Sequence, residues 1–494
     1  MNTTPSPIPP PLPPPVSLPS SAPASGTTML DKGRSVLSGA TFKLFVIGVL
    51  TLLMLIPIGK IWFLLSERQH RRDAAVANIT EAWGRGQEII GPVLVVPYRY
   101  AVKVQRTEMV NGKPTQVETV EHPLAQAYFL PAKLKLDARL APQERHRGIY
   151  KAVVYGGKLA VSGEFQPPLF DDLGVEPERI LWEDAVFCLA VTDLRGVEGA
   201  LSLDWAGRTL PLLPGCRLPG FETGVMASLR DVLPAAAKSA AIPFQFNLTF
   251  NGSKLISFAP AGVETEVRLA ADWPDPSFEG AFLPGQREVN ASGFSAQWNV
   301  SYYGRGYPQK WTSLGGGPSP DKIRASMFGA SLLTLVDQYR TVERALKYAI
   351  LFIVLAFAGF FLFETLGRVR IHPVQYTLVG AALCLFYLIL LALSEFVGFG
   401  AAYLAGAAAS SLLIGIYAAG VLRGGGRGCL TAAALGGVYG FLYVVLQLED
   451  YSLLIGTAGL FVLLAAIMLA TRKTNWYEHD LAAGRSPGVP PDRP

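Results

Sequence analysis

Six apolar runs constrain this chain more than any motif in it. One spans Phe42–Leu65, and five more are packed into residues 347–471: Tyr348–Leu366, Val374–Leu393, Phe399–Leu422, Leu430–Leu446 and Tyr451–Ala470. About 20 apolar residues suffice for an α-helix to cross roughly 30 Å of hydrocarbon. Phe42–Leu65 holds Pro57 and Lys60 towards its far end, where proline only kinks and lysine reaches the interface. Leu430–Leu446 is short and carries Gly436, Gly437 and Gly440, which suits a span packed on its neighbours. The whole chain is 50% hydrophobic and 16% charged, whereas a soluble domain carries about a quarter charged residues. That deficit is local, because residues 66–345 have an ordinary composition.

The expected fold is therefore a membrane protein, α plus β. Six transmembrane helices, one N-terminal and five C-terminal, flank a large, mainly antiparallel, sandwich-like β domain. The segments are a Pro-rich tail (1–40), a first span (42–65), the β domain (66–345), a five-helix block (347–471) and a tail (472–494). Arg368 and Arg370, Arg423 and Arg427, and Arg472 and Lys473 follow alternate spans, while the other turns carry Glu395 or Glu449 and Asp450. By the positive-inside rule both termini are cytoplasmic and residues 66–345 lie outside the cytoplasm. Arg68, Arg71 and Arg72 oppose this, and Lys32, Arg34 and Lys43 ahead of the span outweigh them. The first run is too long for a signal peptide and lacks a small-x-small site after it, so it reads as a retained anchor. Residues 1–28 (PSPIPPPLPPPVSLPSS and flanks) cannot bury a core and read as a cytoplasmic spacer.

Within the outer segment, Ser66–Ile90 reads as a helix with Val76, Ile79, Trp83 and Ile90 near one face, stopped by Gly91–Pro92. Alternating stretches then follow, among them Lys151–Val161, Ala185–Val191, Phe244–Phe250 and Glu264–Ala270. Asn111–Gly112 and Asn251–Gly252 are hairpin-type dipeptides. The Pro/Gly-rich Leu210–Gly224 is a candidate boundary between two lobes, with Ser326–Leu335 as the last strand. Asp337 then stands as an N-cap, and Gln338 onward reads as one helix running straight into the second span.

No catalytic signature appears. The five histidines are scattered, with no metal-ligand spacing, so neither metal nor cofactor is expected. Arg423-Gly-Gly-Gly-Arg-Gly follows no strand and reads as a basic turn rather than a phosphate cradle. The net charge of +5 is spread widely and gives no nucleic-acid footprint. Cys188 and Cys216 both fall in the outer domain, where a bridge and two free thiols are both open readings. Glu364 and Glu395 are the intramembrane or interfacial ionisable groups, read as proton or ion groups or as paired interfacial carboxylates.

The outer segment also holds one stretch dense in unusual residues, from Asp272-Trp-Pro-Asp-Pro-Ser-Phe-Glu through Arg287-Glu288 to Gln297-Trp298. Trp273, Pro274, Phe278, Arg287 and Trp298 are its candidate binding residues, against the reading of a loop pinned by its own aromatics.

These same residues carry a resemblance. The chain resembles the CreD family of bacterial inner-membrane proteins, described as cell-envelope integrity proteins. The matching stretches are Gly91-Pro92-Val93-Leu94; Trp273-Pro274 through Phe282-Leu283-Pro284 to Gln297-Trp298; Asp337-Gln338-Tyr339; Phe363-Glu364-Thr365-Leu366; and His372-Pro373-x-Gln375-Tyr376 on to Ser394-Glu395. The resemblance covers roughly residues 40–478. The resemblance implies an inner-membrane location, a role in envelope integrity or stress response, and a functional link to a two-component system. It carries no catalytic residues. The Pro-rich head departs from the shorter start expected of the family. The expected function is thus a non-enzymatic protein whose β domain binds an envelope lipid, glycan or protein. Alternatives are transporter or flippase-like activity through Glu364 and Glu395, and an extracytoplasmic enzyme using Asp272, Asp275, Glu279, Arg287 and Glu288. Oligomeric state is not legible in the sequence.

Overall fold

The structure is a computed structural model. It describes residues 40–472 apart from 111–112, 234–240, 333–337, 368, 370 and 449–450. The expectations for the Pro-rich tail, Asn111–Gly112, Asp337, Glu449 and Asp450 fall outside the described residues, as do those for Arg368, Arg370, Lys473, Lys32 and Arg34. Two compact units emerge: Phe63–Arg340, and the residues on either side of it.

Phe63–Arg340 is built on two sheets around one core. Among the described residues the first sheet runs β10 (Leu213–Pro214), β11 (Gly224–Ser228), β7 (Val186–Val191), β1 (Gln87–Arg99), β13 (Leu255–Phe258), β19 (Phe328–Leu332) and β15 (Pro276–Gly280). A branch adds β4 (Leu124–Phe129) and β18 (Lys310–Thr312) beside β1. The second sheet runs β16 (Gln286–Asn290), β17 (Gly293–Ser301), β14 (Glu264–Ala271), β5 (Lys133–Arg147), β6 (Tyr150–Phe165), β12 (Ile242–Ser253), β8 (Ser202–Trp205) and β9 (Arg208–Pro211). A separate hairpin pairs β2 (Val102–Val110) with β3 (Lys113–Glu121). Pairing is antiparallel except for β1 with β13 and β14 with β5.

Alternation explains how the second sheet faces. In β12 the residues Ile242, Phe244, Phe246, Leu248 and Phe250 are buried while Pro243, Gln245 and Asn247 are exposed. Period-2 side-chain direction puts every apolar member on one face. Phe187 of the first sheet then meets Phe165, Trp205, Phe244 and Phe246 of the second, with ring centroids 5.6–6.4 Å apart. Further along, Trp298 of β17 packs on Phe328 of β19 at 5.6 Å. Leu212, Leu218 and Phe221, inside the Pro/Gly-rich stretch, belong to this same core.

Two local expectations are corrected in this unit. The helix α1 (Ala40–Trp83) continues from the first apolar run but ends at Trp83, short of Ile90. Gly84 (φ +158°) turns the chain where a side chain would strike the backbone of Asn251, and Gln87–Ile89 then pair with Ile256–Phe258. Asn251–Gly252 is not a turn but lies inside β12, opposite Gly156 and Tyr155. The Tyr155 ring occupies the space a Gly252 side chain would need, so the glycine serves close packing rather than reversal.

In the other unit the expectation of one helix leading into the second span is also corrected. The helix α3 (Gln338–Lys347), which follows the short α2 (Pro320–Arg324), is bent by 44° from α4 (Ala349–Gly367). At the break Tyr348 N–H bonds to Ala345 O, a three-residue spacing that interrupts the α ladder. The helices α5 (Pro373–Val397), α6 (Phe399–Val421), α7 (Gly425–Gln447) and α8 (Ser452–Thr471) follow. By length and apolarity four described helices can cross a membrane, or five if α3 and α4 make one bent span; α8 contributes a shorter apolar stretch, Leu454–Ala466. His372 caps α5, accepting from Val374 N–H at 3.3 Å while its own N–H donates to Gln375 Oε1 at 2.9 Å. Pro373 at the first helical position completes that start. Where α6 meets α7, a side chain on Gly415 would strike Ala432 and one on Gly428 would strike Gly415 O, so small residues permit the approach. The stretch from Gly425, expected as a basic turn, forms the first turn of α7, with Arg427 donating to Leu422 O at 2.9 Å.

Candidate functional site

The outward face of the second sheet holds a groove of about 700 Å³. Strand register builds its floor. Ser295 of β17, Ala270 of β14, Arg139 of β5, Lys158 of β6 and Thr249 of β12 stand in one row, each opposite the next. Ala141 and Gly156, the next outward pair along β5 and β6, leave the floor low. Asp272, Glu288, Asn290 and Ser292 line one side, and Glu198 and Asn251 line the other.

Arg139 and Lys158 are the unusual feature. They are exposed and directly opposite, and like charges in that relation are destabilising. Elsewhere on this face the charges are matched: Lys133 with Glu164 at 3.0 Å, and Arg268 with Glu266 at 2.9 Å. Among the described residues neither Arg139 nor Lys158 makes an ion pair or a side-chain hydrogen bond. The floor thus presents two cations, ringed by carboxylates, amides and hydroxyls. Such a lining suits an acidic group on a hydroxyl-rich ligand. No group of three or more His, Cys, Asp or Glu among the described residues is placed to hold a metal ion.

The stretch singled out in the sequence contributes to this groove, though through other side chains. Trp298 is buried, and its Nε1–H donates to Phe282 O at 3.1 Å. Phe278 packs edge-on against Phe294 and Trp298 at 5.8 Å, and Trp273 is half-buried against the same core. Pro274 and Arg287 are exposed, Arg287 on the edge strand β16. The neighbours Asp272, Glu288, Asn290, Ser292 and Ser295 are the ones that reach the groove. Arg139, Lys158, Glu198 and Asn251 were not read as site residues. For Arg139, Lys158 and Asn251 the only sequence signal is a polar residue at an outward strand position, which many residues share, and Glu198 lies in the loop between β7 and β8.

In the membrane-spanning unit Glu364 is nearly enclosed, its side chain 7% exposed. Its Oε1 accepts from Lys43 Nζ and from Ile371 N–H at 3.1 Å, and its Oε2 accepts from Tyr376 OH at 3.1 Å. The carboxylate therefore ties α1, α4 and the start of α5 together. Glu395 is half-buried in the last turn of α5.

Residues 39–477 match the CreD family, described as "Inner membrane protein CreD". This chain belongs to the CreD family. It is also 33% identical to the inner membrane protein CreD of Escherichia coli (strain K12) over 431 residues, 87% of this chain and 92% of that protein. The CreD architecture here is accordingly a membrane protein with four or five apolar helices and a large β-rich domain. Several such helices, with the family's description, make it a multi-pass inner-membrane protein. Two of the stretches that carried the resemblance meet in space, since Glu364 of Phe363-Glu364-Thr365-Leu366 bonds Tyr376 of His372-Pro373-x-Gln375-Tyr376.

Proposed function

We propose that this CreD-family protein spans the inner membrane six times with both termini in the cytoplasm. In this reading its β domain faces the periplasm and acts without catalysis, as a binding module in envelope integrity or stress response. The ligand is a hydroxyl-rich envelope molecule, a glycan or glycolipid, that carries an acidic group. One observation supports this most: Arg139 and Lys158 stand opposite each other, with no ion pair to either among the described residues, on the floor of the groove. An arrangement that costs stability when empty gains from an anionic partner, because charge-assisted hydrogen bonds are about twice as strong as neutral ones.

The test uses the full chain in lipid nanodiscs, incubated with envelope extract and read by mass spectrometry of what is retained. Arg139→Ala with Lys158→Ala should weaken capture at least about a hundredfold, from two lost charged hydrogen bonds of about 1.5–3 kcal/mol each. Added salt should weaken wild-type capture. Gly156→Val should abolish binding while folding normally, because only Asn251 Oδ1 stands within 4.0 Å of the new Cβ. Equal capture by wild type and both variants would remove the groove from consideration.

A further inference from the structure

Cys188 and Cys216 are 28 residues apart in sequence, yet their sulfurs lie 2.8 Å apart. Cys188 sits inside β7 with no exposed surface, opposite Val93 of β1 and Met226 of β11. Cys216 lies in the segment between β10 and β11 and is partly exposed. That segment is closed by Gly215 N–H on Gly224 O at 2.8 Å, and Arg217 N–H donates to Cys188 Sγ at 3.3 Å. The chain thus folds over a buried thiol and sets a second thiol against it. A covalent S–S bond of about 2.05 Å requires the two sulfurs to close by less than roughly 1 Å.

We propose that Cys188 and Cys216 are joined by a disulfide in the native protein, made by exchange with a protein dithiol–disulfide oxidant. The proposal rests on the periplasmic placement of the β domain, where such bonds persist. Chemistry orders the two sulfurs. Cys216 is the one solvent reaches; the hydrogen bond it shares with Cys188 lowers its thiol below the ordinary range. That bond, followed by burial, raises Cys188. The Cys216 thiolate attacks one sulfur of the oxidant's disulfide, and the oxidant's other sulfur leaves as a thiolate. Cys188 then gives up its proton and displaces the oxidant from Cys216. One S–S bond forms in the protein and one breaks in the oxidant. Two electrons pass to the oxidant, which leaves as a dithiol carrying the two protons. The bond fastens the segment leading from the edge strand β10 onto β7.

The experiment is acid quenching of cells expressing the full chain, then denaturation and labelling with a maleimide of added mass, before and after reduction. Peptide mapping reads each cysteine. Cys384 and Cys429, in α5 and α7, label before reduction and serve as the internal standard. Cys188 and Cys216 should label only after reduction, and a cross-linked peptide pair should appear in the unreduced digest. Labelling of all four before reduction overturns the proposal. Treating the purified chain with oxidised glutathione then locates the failure. A bridge formed there faults the periplasmic placement, and no bridge faults the pairing itself.

Discussion

Single side chains here do work that their neighbours in sequence do not announce. Arg305 is buried with no carboxylate partner among the described residues. It donates instead to Ala261 O at 2.7 Å, Gly262 O at 3.0 Å and Tyr307 O at 3.1 Å, and to Gln309 Oε1. Burial pushes its guanidinium below the ordinary range, and the carbonyl oxygens hold it charged. Glu364 is the membrane counterpart, a buried carboxylate whose two oxygens meet an ammonium, an N–H and a hydroxyl. Glu364→Ala strands the buried Ile371 N–H and should cost about 1–3 kcal/mol of stability. Glu364→Gln keeps an acceptor and should cost less, because Lys43 is 39% exposed and its ion pair is partly screened. Thermal unfolding in nanodiscs measures both, and equal losses would mean that the charge, not the acceptor, matters. Three hydrogen bonds already accepted leave this carboxylate poorly suited to the transport alternative.

At the scale of elements, the sheets are held by register and close packing rather than by turns with strong signatures. The 12 residues of β12 pair with β6 along their full length. They close on Tyr155 and Phe250, whose rings stand where side chains on Gly252 and Gly157 would go. Gly252→Val should therefore cost about 1–3 kcal/mol through overpacking, although valine favours strands. Chemical denaturation of the purified chain would show the loss, and an unchanged midpoint would mean the Tyr155 ring can move aside. Most of these strands were legible, since Lys151–Val161, Ala185–Val191, Phe244–Phe250 and Glu264–Ala270 each lie within or across an observed strand. Their partners were not. The reading of Asn251–Gly252 as a turn failed because the dipeptide signals a hairpin only when the flanking strands pair with each other, and here they pair elsewhere.

The whole molecule divides as hydropathy divides it: a β unit of Phe63–Arg340, and a helical unit on either side in sequence. Our orientation puts the β unit in the periplasm. A reporter active only outside the cytoplasm should work when inserted at Gly148, in the β5–β6 turn. A reporter active only inside should work when fused after Arg472. The reverse result would invert the proposed topology and, with it, the argument for the disulfide and for an envelope ligand.

Sequence alone determined the class, because apolar run length and the two side-chain periods are local properties of the chain. It also marked Asp272–Trp298 as the stretch to watch, and the groove takes its acidic and amide wall from there. Only the tertiary structure turned Trp298 inward, set Arg139 beside Lys158 and brought Lys43 to Glu364 across 321 residues of sequence. Which strands neighbour one another, and in which register, is fixed by burying both apolar faces at once. No single segment contains that information.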